Sequence, residues 1–166
     1  MYLGKKHNSE RWSGVGVVNG MAWTQMGGKL LVVEAILHRG DKQKIEVTGQ
    51  LGDVMKESVA IGLSWIKANF EELAIVDNLS QHLTSLEKAK FLDEVSIHIH
   101  FPEGATKKDG PSAGVTIVTC LASLLMKTPP REHLSMTGEI TVSGKVLPVG
   151  GVREKCLAAI YEGIQQ

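Results

Sequence analysis

The sequence predicts a mixed α/β (α+β) domain in which helices pack on mixed sheets, and three observations support this. Glu94 to Phe101 alternates apolar and polar side chains, the period of a strand with one buried face. Two other stretches, Asp53 to about Asn69 and Pro111 to about Lys127, repeat apolar residues at helical spacing. The chain's 166 residues, 43% apolar and 22% charged, suffice for one domain with its own core.

Met1 to Ser13 is polar, without periodicity, and reads as a connector. Gly14 to Thr24 and Lys29 to Leu37 are rich in β-formers and flank the turn signal Gln25-Met26-Gly27-Gly28, which predicts a hairpin. Glu34 interrupts the second of these runs, and an acid there must face water or find partners. Lys44 to Thr48 gives a third strand. A helix then opens at Leu51-Gly52-Asp53, with Val54, Ile61 and Trp65 recurring on the core side and Met55, Val59 and Ile66 beside them. Phe70 to Asp93 carries little pattern beyond a short helix around Ser85 to Phe91.

In the alternating strand Val95, Ile97, Ile99 and Phe101 face inward, and Glu94, Ser96, His98 and His100 face out. Two histidines two positions apart on a strand point the same way, a geometry that can hold a metal. A catalytic zinc wants a third protein ligand and no partner motif is present, so the expectation is a polar, solvated face and no metal. The helix from Pro111 carries Ser112, Thr116, Thr119 and Ser123 on one side, which reads as close packing. Val115, Val118, Leu121, Ala122 and Leu125 fill its other sides. Pro129-Pro130 stops it. His133 to Thr141 and Lys145 to Val149 give two short strands. Gly150-Gly151 opens a last helix whose apolar arc holds Val152, Cys156, Ala159, Ile160 and Gly163, with Lys155 at one edge and Arg153 at the other.

Composition excludes several classes. Lys plus Arg and Asp plus Glu both number 18, so no net field draws nucleic acid or an anionic membrane. No apolar run reaches the ~18 residues of a membrane helix, and the first residues lack the apolar core of a signal peptide. Cys120 and Cys156 lie in apolar helical patterns and do not make a disulfide scaffold, which fits a reducing compartment. No Gly-x-x-x-x-Gly-Lys-(Ser/Thr) loop occurs, so the chain is not an ATP motor, and no cofactor is expected in this domain.

The chemistry centres on Lys107-Lys108-Asp109-Gly110-Pro111-Ser112-Ala113-Gly114. Proline suits the first helical position, where its missing N–H would have no partner, and Gly110 can take unusual dihedrals before it. Ser112 then lies in the first turn. There, free backbone N–H groups and the helix dipole stabilise negative charge developing on a substrate. Alone, such a serine reads as an ordinary turn residue.

These eight residues, with Met136-Thr137-Gly138-Glu139 and Leu147-Pro148-Val149-Gly150-Gly151-Val152-Arg153-Glu154-Lys155, resemble the proteolytic domain of Lon, the ATP-dependent serine protease. Tyr2-Leu3-Gly4, Ala22-Trp23-Thr24 followed by Gly27-Gly28, and Gly49 to Ser58 extend the resemblance over nearly the whole chain. It implies a fold like the ribosomal protein S5 domain 2-like group. Residues 1–13 become the linker from an ATPase module, and 14–166 the proteolytic domain without its C-terminal end. It implies Ser112 as nucleophile and Lys155 as its base, 43 positions apart. Thr137 orients the lysine, Asp109 is an acid beside the nucleophile that can pair with the lysine in an inactive site, and Glu34 is an acid near the site. It further implies that ATP and Mg serve the absent ATPase module, that unfolded polypeptides are the substrates, and that the full-length protein is a homohexamer. Gly110 to Leu125 looks like the peroxisomal branch, which implies the peroxisomal matrix, with the mitochondrial matrix or cytoplasm as alternatives.

The residues give this reading a physical basis. A serine hydroxyl needs a base, and a free lysine, pKa about 10.4, is charged at neutral pH. Burial can lower a lysine pKa by up to ~3 to 5 units, enough to make one. Arg153 cannot serve, since its guanidinium does not deprotonate. The function expected is therefore a serine endopeptidase domain that degrades misfolded or unstructured proteins through a Ser-Lys dyad. Two alternatives stand beside it: a truncated Lon-like domain that assembles without cutting, and a phosphate-binding domain of the small-molecule kinase type.

Overall fold

The computed structural model describes residues 13–38, 45–70, 72–73, 95–104 and 107–165. Most of the connector and the short helix around Ser85 to Phe91 lie outside these residues. The frame is a hairpin of β1 (Val17–Thr24) and β2 (Gly27–His38), paired antiparallel from Val17 opposite Glu34 to Thr24 opposite Gly27. Its tip is held by the Thr24 hydroxyl, which donates to the Gly27 carbonyl (3.0 Å) and accepts from the Met26 amide (3.1 Å). β3 (Ile45–Thr48) and β4 (Ser96–His100) extend the sheet beyond β2, and β5 (Ser135–Met136) lies on the other edge, giving the order β3-β4-β2-β1-β5. β2 and β4 run antiparallel, whereas the β3–β4 and β1–β5 pairs are parallel, so the sheet is mixed as expected.

Strand alternation decides what each face meets. Val18, Leu31, Val33, Ala35, Ile97 and Ile99 form one core with α1 (Asp53–Ala68) and α2 (Gly114–Met126). Gly20, on that face, lies so close to α2 that a Cβ there would come within 2.8 Å of Thr116 Oγ1. The other face of the hairpin carries α3 (Val152–Tyr161), with Met21, Leu30, Ala159 and Ile164 packed together. The sheet is thus sandwiched between α1 and α2 on one side and α3 on the other.

α1 buries Met55, Ser58, Val59, Gly62, Leu63 and Ile66. Val54, expected in the core row, is 41% exposed, while Ile61 and Trp65 are half-buried. The stripe is rotated because the contact with α2 runs through Gly62, whose bare backbone lets Ile117 and Val118 approach. α2 is entered through a 3-10 turn, Pro111–Ala113, with Pro111 at its first position and Gly110 at φ 122. Ile117, Cys120, Leu121 and Leu125 are fully buried. The hydroxyl stripe is close packing: Thr116 sits against Gly20, and Ser123 Oγ donates to the Thr128 carbonyl (2.6 Å) and accepts from the Gly16 amide (3.0 Å).

Two further expectations are corrected. His133 to Thr141 is not one strand: β5 joins the main sheet, and β6 (Glu139–Ile140) pairs instead with β7 (Val146–Leu147). The break falls at Thr137-Gly138 because Gly138 turns to α2's entrance, donating to the Ser112 carbonyl (2.9 Å) and accepting from the Val115 amide (3.1 Å). The second correction concerns α3, which buries only Ala159 of its apolar arc. Val152 is 49% and Ile160 68% exposed and Cys156 is exposed, whereas Lys155 and Ala159 face inward. The backbone of Glu154 rests on Gly28 of β2, and that contact rolls the lysine side of the helix onto the sheet.

Candidate active site

Three elements meet where β1 and β5 end the main sheet: the turn before α2, the break between β5 and β6, and the first turn of α3. Ser112 comes from the first and is half-buried. Its carbonyl accepts two bonds, from the Gly138 amide (2.9 Å) and the Thr137 hydroxyl (3.2 Å), which fix the serine backbone against the strand break. Among the described residues its own Oγ makes no hydrogen bond, so the hydroxyl is free for other work.

Lys155 lies in the first turn of α3, its amide bonded to the Gly151 carbonyl (3.0 Å). Gly151 adopts the left-handed conformation (φ 67) that starts this helix. The lysine is only 2% exposed, and its Nζ donates to Thr137 Oγ1 at 3.0 Å. Among the described residues no carboxylate pairs with it, and burial pushes its pKa below the ordinary lysine value. Thr137 accepts from Lys155 and donates to Ser112, so one hydroxyl ties the lysine to the serine-bearing turn.

Among the described residues Asp109 and Glu34 make no hydrogen bond to Lys155 or to the Ser112 hydroxyl. One carboxylate oxygen of Asp109 accepts from the amides of Met55 (3.2 Å) and Gly110 (3.0 Å). Gly52, before α1, has no side chain to cap the helix, and Asp109 supplies the missing acceptor across space. Glu34 is half-buried on β2, opposite Val17 and His100, and bonds to none of Ser112, Thr137 or Lys155. Its charge acts on Cys120, whose thiol is pushed up to about 12, by burial first and by Glu34 second. Lys108 bolts the serine turn down, its Nζ donating to the carbonyls of Glu103 (2.8 Å) and Gly49 (3.2 Å).

The histidine pair is used within the sheet: Thr48 Oγ1 lies 2.9 Å from His98 Nε2 and 2.6 Å from His100 Nδ1. Among the described residues no three His, Cys, Asp or Glu side chains group to hold a metal, and no helix is long and apolar enough to cross a membrane.

Sequence reasoning missed Gly28. Gly27-Gly28 reads as a turn signal, yet only Gly27 takes a glycine-favouring conformation (φ 117), with open space around it. Gly28 has ordinary dihedrals and owes its bareness to α3. The signal was there: one glycine more than the turn requires.

A mixed sheet between helices, with Ser112, Thr137 and Lys155 brought together at the mouth of α2, makes this an α/β domain, and its family makes it a proteolytic one. The chain belongs to the Lon protease (S16) C-terminal proteolytic domain family, whose profile matches residues 1–166. It is 50% identical over 152 residues to Lon protease 2 of Bdellovibrio bacteriovorus, covering 92% of this chain and 17% of that protein. It is 51% identical over 159 residues to the peroxisomal Lon protease homolog 2 of Mus musculus (95% and 18%). With Lon protease of Porphyromonas gingivalis it shares 48% over 164 residues (97% and 18%). The chain thus spans less than a fifth of the length of these relatives.

Proposed function

We propose that this domain hydrolyses peptide bonds of unstructured polypeptides by acyl transfer, with Ser112 as nucleophile and Lys155 as its base. The observation that carries the reading is the state of Lys155: 2% exposed, unpaired with any described carboxylate, and bonded to one hydroxyl. Losing water disfavours the ammonium, so a neutral amine is reached at lower pH than usual. A neutral amine has one lone pair, and the bond to Thr137 orients it, since one N–H is committed there. Ser112 attacks the carbonyl carbon while Lys155 takes the hydroxyl proton, then returns it to the leaving amine. Backbone N–H groups around Ser112 hold the oxyanion, and water, activated by the same lysine, releases the acyl group.

The test is cleavage of an unstructured fluorogenic peptide, without ATP, by the wild type and by Ser112→Ala and Lys155→Ala proteins shown to be folded. Loss in both variants is expected. Full activity in either one, or a silent wild type, overturns the assignment.

For the whole protein we propose ATP-dependent degradation of misfolded proteins by a homohexamer whose ATPase module lies outside this domain. Its support is family membership and the much greater length of the relatives. We propose the peroxisomal matrix for it, on the name of the mouse relative, with the mitochondrial matrix or cytoplasm as alternatives.

A further inference from the structure

We propose that Trp23 and Gly28, which face each other across the β1–β2 hairpin, are positioning residues that set the depth and orientation of Lys155. This rests on the reading of Lys155 as the base.

The two form one register pair close to the hairpin tip. One has no side chain and the other the largest available, and both differences are used by α3. A Cβ on Gly28 would collide with the Glu154 carbonyl oxygen and come within 2.9 Å of the Lys155 backbone nitrogen. These are backbone atoms of a helix, which cannot rotate away as a flexible side chain would. Trp23 covers the other end of the same turn: a Cβ on Gly151 would lie 2.9 Å from its Cδ1 and 3.0 Å from its Cβ and Cγ. Gly151 supplies the carbonyl that takes the Lys155 amide, so the strand pair grips the turn at the residue that receives this bond and at the residue preceding the lysine.

The consequence concerns the amine. Lys155 Nζ meets Thr137 at 3.0 Å, and a shift of the helix start lengthens that bond and admits water. Burial alone lowers the affinity of this amine for a proton. Glu154 and Arg153 flank it in sequence, but no charged group of the sheet, α2 or the β5–β6 break contributes. Its readiness as a base therefore depends on how far α3 is seated, which Trp23 and Gly28 control.

The test measures kcat, KM and the pH dependence of kcat for peptide cleavage in the wild type, Gly28→Ala and Trp23→Ala. Folding is checked by circular dichroism. In the wild type the rate climbs with pH as Lys155 loses its proton. In Gly28→Ala the helix is pushed off the sheet, and in Trp23→Ala its start is released. In both, the midpoint of the climb moves to higher pH. At neutral pH kcat drops, by on the order of a hundredfold for Gly28→Ala, while KM stays within about twofold. Loss of fold alone would scale the rate without moving the midpoint. Trp23 is 56% exposed, so its replacement leaves the core intact and decides the matter if Gly28→Ala does not fold. A folded Trp23→Ala protein with the wild-type midpoint overturns the proposal. Lys155→Ala separates the two levels. If it retains activity, the base is elsewhere and the proposed function falls. If it is silent while Trp23→Ala and Gly28→Ala keep the wild-type midpoint, only the positioning role falls.

Discussion

Thr137 has one proton to give and accepts one in return, and both commitments lie inside the site. Thr137→Val keeps the shape and removes both. Leaving a buried amine without its acceptor costs about 1–3 kcal/mol. We expect kcat to fall roughly ten- to hundredfold, a range equivalent to that energy, with Thr137→Ser close to wild type in steady-state kinetics. Lys155 also couples folding to pH. Its folded pKa is depressed, so between that value and about 10.4 the unfolded chain binds more protons than the folded one. Stability therefore rises with pH across this window and is least below it. Cys120 acts in the opposite sense: its thiol, raised to about 12, keeps a proton that the unfolded chain releases from about pH 9 upward. Urea titrations kept below pH 9 limit the thiol's part, and since burial depresses Lys108 in the same sense, the comparison with a Lys155 variant isolates Lys155. There the wild-type midpoint should climb with pH, and that of Lys155→Met should climb less. The two thiols should also separate. Exposed Cys156 reacts with a thiol reagent in the native protein, and buried Cys120 only after denaturation.

α1 borrows its N-terminal acceptor from the serine turn, so Asp109 is a joint between two elements. Asp109→Ala should cost about 1 kcal/mol in chemical denaturation, and Asp109→Asn, which keeps an acceptor oxygen, much less. The elements differ in how openly the sequence declares them. The mouth of α2 was legible because Gly110 and Pro111 act locally through dihedrals and a missing donor, and the inner face of β4 because it is wholly apolar, whereas Ser96, expected on a solvated face with His98 and His100, is only 1% exposed. The roll of α3 was not. Val152, Cys156 and Ile160 repeat at helical spacing, yet the buried side is chosen by Gly28, distant in sequence, and by a lysine that periodicity treats as polar. The division of His133 to Thr141 into two sheets was equally hidden, since its β-formers suit either sheet and the break follows from bonds to Ser112. Proximity of Ser112, Thr137 and Lys155 was thus readable only through family resemblance, and the bonds of the Asp109 carboxylate to the start of α1 not at all.

At the scale of the molecule, α2 runs through the centre, and its fully buried Leu121 touches the core shared by the sheet and α1. Leu121→Ala should lower stability by about 2–5 kcal/mol, with fluorescence and circular dichroism melting together as one transition. A site drawn from both faces of the sheet has a consequence in time as well as space. In an unfolded or half-made chain Lys155 sits in water as an ordinary ammonium, and Ser112 is then an ordinary alcohol. On the proposed reading, the base comes into being only when α3 docks on the hairpin behind it, and α3 is synthesised after both the hairpin and the serine turn. The newborn chain carries both reactive groups and is harmless to itself and its neighbours, because the act of folding is also the act of arming.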